Sequence, residues 1–471
     1  MTVQIFVASG FRGLAVLAAA LDAGFFDSED SGGSGASGGS GANEGSGASG
    51  RRVLVLADNT AVPEAAAPFE ALPGFAGLRA RFDEVRSWND AVFPLHPGAW
   101  TPRPDDVPLW ERHLRRAWGL GDEEVELVIE SPHTGPAQAV AQIFTGGPVS
   151  VYTDGLTGYG PTAEKIPPLI GTRVGQLIHP DLLPGLAPLL LGEFDAVPRP
   201  LPAPALLRVF GELAEAAPEH PAPQGAALLL LSGAGTLPAA DETELHLRMI
   251  RGTAAMGHTH LVLRPDHDGP DPDGPEPALP ALRAEAVRLG VELTVPDAWL
   301  PGSQVLAEVL FERLRPTLVV GSRSTALFTA AAYYGLPVAR AGTGTLLERL
   351  SPYENPARIP VTIVDALLPD LADRAAVADH APLTEDSVAD ALGGLLPAVA
   401  FAMQPRVRPD LRPAAERYLS TRLNARTWRY FKRRRLGSLA LPGVVPARLA
   451  FVRRNATLRR IARRARTLKR R

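Results

Sequence analysis

Thr317-Leu-Val-Val-Gly-Ser-Arg-Ser-Thr-Ala-Leu-Phe-Thr-Ala-Ala-Ala-Tyr-Tyr334 is the stretch that decides the reading of this chain. Thr317 to Val320 has the apolar, β-branched character of a short strand buried on both faces, Gly321-Ser322 closes it, and Ser324-Thr325 opens an alanine-rich helix. A strand, tight turn and helix in succession are the unit of an α/β fold with a parallel sheet. The junction offers backbone N–H groups, the Ser322, Ser324 and Thr325 hydroxyls and the positive end of a helix dipole to one point, which suits a phosphate. The same residues also suit a plain N-cap, in which a serine oxygen only satisfies the first free N–H groups of the helix.

The pattern repeats in both directions from this stretch. Strands are expected at Ala226 to Leu231, Leu261 to Leu263, Val291 to Val295, Pro337 to Arg340 and Val361 to Val364, with helices at Asp241 to Met256, Ala278 to Leu289, Gln304 to Arg313 and Ser324 to Tyr334. A first series runs through strands at Gln4 to Ala8, Arg52 to Ala57, Glu126 to Glu130, Val149 to Tyr152 and Gly175 to Ile178, with helices at Arg12 to Asp22, Pro108 to Trp118 and Pro136 to Phe144. Proline-rich runs at Pro198 to Pro204 and Pro218 to Pro223 separate the two series and mark a domain boundary. At 471 residues the chain has the length for two such cores. The expected organisation is an N-terminal Rossmann-like domain over 1–200, a second over 201–400, and a C-terminal helix and tail over 401–471. The Gly/Ser/Ala repeats from Asp27 to Gly50 cannot bury enough surface to repay ordering, so 27–51 reads as a flexible insertion within the first domain. Open parallel sheets bind ligands beyond the carboxyl ends of their strands, so the cleft between two such domains is the expected site.

The chain has no cysteine, which excludes disulfides, thiolate nucleophiles, and Cys-ligated zinc or iron–sulfur clusters, and fits a cytosolic compartment. The start lacks the positive flank of a signal peptide, and no stretch of 18 apolar residues is free of charge and proline. The net charge of −3 conceals an asymmetry: from Thr421 onward there are 18 Lys and Arg and no Asp or Glu. Clusters such as Lys432-Arg433-Arg434-Arg435 alternate there with Trp428, Tyr430, Phe431, Leu449 and Phe451, which suits an anionic bilayer surface at about 1 kcal/mol per basic residue. A solvated tail and nucleic acid are weaker readings of the same charge.

Other candidates lie at strand ends. Arg264 and His267, in Leu-Val-Leu-Arg-Pro-Asp-His-Asp, could hold a nucleotide phosphate and stabilise its departure, or form only a solvated polar turn. Asp154 in Val151-Tyr-Thr-Asp-Gly155 could be a general base on an acceptor hydroxyl, or simply part of an Asp-Gly turn. Glu130, in Ile129-Glu-Ser-Pro132, is a second carboxylate in the same position. The acids around His267 have no defined metal-ligand spacing.

Asp154-Gly155, Arg264-Pro-Asp-His267 and Gly321-Ser-Arg-Ser-Thr325 follow the order and rough spacing of an acidic-acidic-Gly, a His-Pro and a Ser-Ser/Thr motif, and with Trp88-Asn89, Trp118-Gly119-Leu120 and Tyr159-Gly160-Pro161 the chain resembles the bacterial α-2,8-polysialyltransferase family over most of residues 1–400. The resemblance implies a GT-B architecture, an acceptor domain facing a donor domain, and inverting transfer of sialic acid from CMP-sialic acid to a saccharide acceptor with no cofactor and no metal. It implies that Ser324 and Thr325, with Ser322 and Gly321, bind the CMP phosphate, that His267 and Arg264 stabilise the leaving group, and that Asp154 or Glu130 is the base. Two positions depart from the family pattern: Thr153 stands at the first acidic position, and an ungapped match puts Asp266 on the histidine, His267 fitting with a shift of one residue. The implied protein is a cytoplasmic enzyme, peripheral on the inner face of a bacterial membrane. A UDP-sugar transferase or epimerase of the same build, and a non-catalytic sugar-binding homologue, are the alternatives.

Overall fold

The computed structural model describes residues 2–27, 50–60, 62–65, 67–219, 221–231, 237–265, 279–294 and 305–443. The glycine-rich insertion beyond Asp27, the Asp266-His267 element and the Arg-rich end from residue 444 lie outside these residues. The first series forms β1 (Thr2–Ala8), β2 (Arg51–Leu56), β3 (Glu84–Ser87), β4 (Glu124–Ile129), β5 (Val149–Tyr152), β6 (Val174–Pro180) and β7 (Val197–Leu201). They pair in the order β3-β2-β1-β4-β5-β6-β7, all parallel. The second forms β8 (Ala227–Leu231), β9 (His260–Pro265), β10 (Glu292–Thr294), β11 (Val319–Gly321) and β12 (Val338–Arg340), paired β10-β9-β8-β11-β12, again all parallel. Both sheets therefore reverse direction once, between β1 and β4 and between β8 and β11.

The alternation along β1 shows why these strands lie in the middle of a layered domain. Val3, Ile5 and Val7 enter one apolar cluster, and Phe6 and Ala8 enter another on the opposite face. Helices cover both faces, so each strand reads as a nearly unbroken apolar run. The helix Phe11–Asp22 packs on the second of these faces with ten of its residues buried, joined there by Leu206, Val209, Phe210 and Leu213 of the helix Ala203–Ala216.

Several elements differ from expectation. Val361 to Val364 is not a strand but part of the helix Arg358–Leu367, whose residues from Arg358 to Asp365 are all buried. A helix enclosed on every side shows the same continuous apolar run as a buried strand, and Pro360 sits in its first turn, where no backbone donor is needed. β7 carries Pro198 and Pro200 inside the stretch read as a boundary; it is an edge strand, where missing donors are tolerated. β3 (Glu-Val-Arg-Ser), also at an edge, is too short and polar to show a period. The helix expected in the C-terminal segment runs Arg412–Thr421, and a single turn follows at Thr427–Tyr430. Tyr430, Phe431, Leu436 and Leu441 are buried in the core of the second sheet, so the chain up to Leu441 is part of that core. The buried Asp365 ties this segment in, accepting from the Tyr430 hydroxyl (2.8 Å), Thr343 Oγ1 (2.6 Å) and Arg429 Nη1 (3.1 Å). No single helix among the described residues is long and apolar enough to cross a membrane.

Candidate active site between the two sheets

Asp154 and Gly155 follow β5, and the chain then makes a single turn, Leu156–Tyr159, whose Leu156 and Tyr159 are buried in the core of the opposite sheet. The turn works as a plug. It brings the carboxyl end of β5 directly against the β11-to-helix junction, where the Leu156 N–H donates to Thr325 Oγ1 at 3.2 Å. At Gly155 a Cβ would stand 2.1 Å from Thr325 Oγ1 and 3.0 Å from its Cβ. The backbone there is extended (φ −170°) and suits any residue, so space and not conformation requires the glycine. The Asp154-Gly155-Leu156 segment and the hydroxyl turn Ser322–Thr325 are thus packed together.

On the side of the second sheet, Ser322 and Ser324 are almost fully enclosed, and Ser324 Oγ accepts from the Ala326 N–H at 3.3 Å at the start of the helix Ala326–Tyr334. Gly321 keeps the turn close to the sheet: a Cβ would lie 3.3 Å from Leu230 Cβ and 3.2 Å from Leu327 Cδ1. Arg264, at the carboxyl end of β9, is half-buried and its Nε donates to the Val305 carbonyl at 3.1 Å.

Glu130 sits at the reversal of the first sheet, and there the structure commits its carboxylate locally. It accepts from the Ser9 N–H (2.7 Å), the Ser9 hydroxyl and the Tyr152 hydroxyl (2.9 Å), at the mouth of the helix Phe11–Asp22. Gly13 leaves room for it, since a Cβ there would lie 2.7 Å from Glu130 Oε1. Burial raises the Glu130 pKa against the bonds from Ser9, Tyr152 and the Gly10 backbone, which favour the charged form.

The sequence reading did not single out Arg12, Glu308 or Thr329, which join the two halves beside Asp154. Arg12, in the first turn of the helix Phe11–Asp22, donates from Nε to the Asp154 carbonyl at 3.0 Å and from Nη1 to both carboxylate oxygens of Glu308 at 2.7 and 2.8 Å. Glu308, on the helix Ala307–Leu314, has a side chain with no exposed surface and also accepts from Thr329 Oγ1 at 2.6 Å. Burial alone would raise its pKa, but Arg12 and the Thr329 hydroxyl outweigh that and hold it below the usual carboxylate range. A sign was available for Arg12, which stands directly ahead of the unbroken apolar run Gly13 to Leu21, and a charge in a buried helix is paired or it is not there. Its partner, nearly 300 residues away, was not readable. His133, just beyond β4, was also missed; its Nδ1 lies 2.9 Å from Ser131 Oγ, and burial lowers its pKa while Glu164 opposes the shift.

Among the described residues no group of three or more His, Asp or Glu is placed to hold a metal ion. Further contacts span the halves: Gln404 Nε2 to the Ala163 carbonyl at 2.6 Å, Arg408 Nη1 to the Leu189 carbonyl at 2.7 Å, and Gly160 against Ile359.

No family model and no curated protein matches the sequence. Solved structures that align with the fold include the GT-B domain of a sialyltransferase from Photobacterium damselae, at 13% identity and a TM-score of 0.35 over 82% of this chain and 98% of that one. A UDP-GlcNAc 2-epimerase from Neisseria meningitidis bound to UDP-GlcNAc aligns at 12% and 0.38 over 85% and 93%, and Medicago truncatula UGT71G1 complexed with UDP-glucose at 11% and 0.38 over 93% and 97%. These values are low, and the α/β architecture rests on the strand orders themselves, two doubly wound parallel sheets.

Proposed function

We propose that this chain is a nucleotide-sugar glycosyltransferase that moves sialic acid from CMP-sialic acid to a hydroxyl of a saccharide acceptor. The observation that carries the reading is the close packing of Gly155 and Leu156, which directly follow Asp154, on Thr325 at the hydroxyl-rich helix mouth of the other sheet. In this reading Asp154 takes the proton of the acceptor hydroxyl, the oxygen forms the new bond at the anomeric carbon, and the bond to the phosphate oxygen breaks to release CMP. Ser322, Ser324, Thr325 and the positive end of the helix dipole offset the charge on the departing phosphate. Arg264 and His267 add to that stabilisation. Glu130, bonded by Ser9 and Tyr152, shapes the β1-to-helix turn that carries Arg12, and Arg12 in turn holds the Asp154 carbonyl.

Thermal unfolding with cytidine and uridine nucleotides tests the donor. A ligand at a hundred times its Kd stabilises by about 2.7 kcal/mol, so CMP is expected to raise the melting temperature and Ser324→Ala to erase the rise. Protection by uridine nucleotides alone would replace CMP-sialic acid with a UDP-sugar, and binding without turnover on any acceptor would favour a non-catalytic homologue. The reading includes a peripheral position on the inner face of an anionic membrane, supported by the 18 Lys and Arg from Thr421 onward. Co-sedimentation with anionic but not neutral vesicles is the expected result.

A further inference from the structure

The second sheet reverses between β8 and β11, and in doubly wound sheets that reversal is where a ligand finds a crevice. Two charged residues flank it, one beyond each of these strands. Glu242 lies in the first turn of the helix Ala239–Ala255, which follows β8, and Arg323 lies in the turn after β11. Glu242 is only 7% exposed, and its Oε1 is a buried atom with no hydrogen-bond partner. Arg323 Nε is likewise buried and unbonded, so the two groups do not satisfy each other. They flank the same reversal, where the helix Ala239–Ala255 packs against β11, and the Arg323 charge draws the Glu242 pKa down against a burial that still lifts it to about 7. One turn further along the same helix face, His246 is 2% exposed and its Nε2 also has no partner.

A buried acceptor and a buried donor left open on the two sides of one strand reversal are costly, and native interiors keep such groups where something completes them. The occupant has to carry an N–H or O–H beside an acceptor. A phosphate does not fit, since it would meet the Glu242 carboxyl, and the phosphate cradle at Ser322–Thr325 adjoins this crevice. We infer that the crevice holds the base of the donor nucleotide, Glu242 Oε1 accepting an N–H on the base edge and Arg323 Nε donating to the neighbouring carbonyl or ring nitrogen. The inference rests on the nucleotide-sugar reading above and adds the groups that would read the base. A pyrimidine edge, which sets an N–H directly beside an acceptor, has the required pattern.

Calorimetric titration of the full chain with CMP, 2′-deoxy-CMP and ribose 5-phosphate tests this. Glu242→Leu and Arg323→Leu are each expected to weaken CMP and 2′-deoxy-CMP about ten-fold and ribose 5-phosphate less than two-fold, that ligand serving also as the check that the variants are folded. Glu242→Gln, which keeps an acceptor oxygen, is expected to lose less than Glu242→Leu. Ser324→Ala is expected to weaken all three ligands. Equal losses for CMP and ribose 5-phosphate would assign the pair to the sugar phosphate and overturn the inference, as would a loss seen with CMP and absent with 2′-deoxy-CMP, which would assign it to a ribose hydroxyl. Unchanged CMP affinity in both leucine variants, with Ser324→Ala still harmful, would overturn the inference and leave the proposed function standing. No binding of any nucleotide by the unaltered protein would remove both.

Discussion

Removing Arg12 is expected to be among the most damaging single changes in the interface. The Arg12→Ala variant leaves the Glu308 carboxylate, with no exposed surface, bonded by Thr329 Oγ1 but stripped of two guanidinium contacts at 2.7 and 2.8 Å. Breaking a buried pair from one side costs about 3–5 kcal/mol, because the remaining charge stays desolvated. At about 2 °C per kcal/mol for a core of this size, the melting temperature is expected to fall by roughly 6–10 °C. The double variant Arg12→Met with Glu308→Leu removes both charges together and is expected to recover most of that loss, giving a coupling energy of about 2 kcal/mol or more in a double-mutant cycle. The pair also has a defined pH dependence. The folded-state pKa of Glu308 is depressed, so its contribution is present above the unfolded carboxylate value near 4.5 and is lost as the pH falls through the folded value. Single variants that each cost less than about 1 kcal/mol, with an additive double, would show that the pair is effectively solvent-screened and refute the claim that it binds the two halves together.

Gly155→Ala puts a methyl group 2.1 Å from Thr325 Oγ1, so Thr325 or the two halves must move by about 1 Å; a cost of about 1–3 kcal/mol and a fall in kcat are expected from denaturant titration and transferase assay, and an unchanged variant would show that the approach is not tight. Glu242, with a folded pKa raised to about 7, contributes stability that is complete below the unfolded value near 4.5 and lost as the pH rises through 7. Discounted for partial solvation, this amounts to about 1–3 kcal/mol, and Glu242→Gln is expected to flatten that part of the profile when melting temperatures are compared between pH 5 and 8. A profile that the substitution leaves unchanged would contradict the raised pKa.

Much of the layered architecture was legible in the sequence because buried parallel strands announce themselves. Ala227–Leu231 and Val53–Leu56 could hardly be anything else, and the glycine and hydroxyls at 321–325 marked a strand-to-helix turn where one exists. The misreading at 361–364 has the same origin, since burial on all sides erases the period that separates helix from strand. The basic cluster Lys432–Arg435 was read only as surface charge. Yet Arg435 donates to the carbonyls of Ala402 (2.6 Å) and Met403 (2.9 Å) and pairs with Glu354 at 2.6 Å, because a long arginine stem can lie against a core while its head is bonded.

Composition and local pattern alone determined that this chain builds two parallel sheets and presents an acid at 154 and a hydroxyl-rich helix mouth at 324–325, because strand burial, turn chemistry and helix capping are local properties of neighbouring residues. Which groups meet between the two sheets was decided only by tertiary structure: Leu156 with Thr325, and Arg12 with Glu308. Such contacts join residues tens to hundreds of positions apart, and their energy depends on burial and geometry that exist only once both sheets have formed.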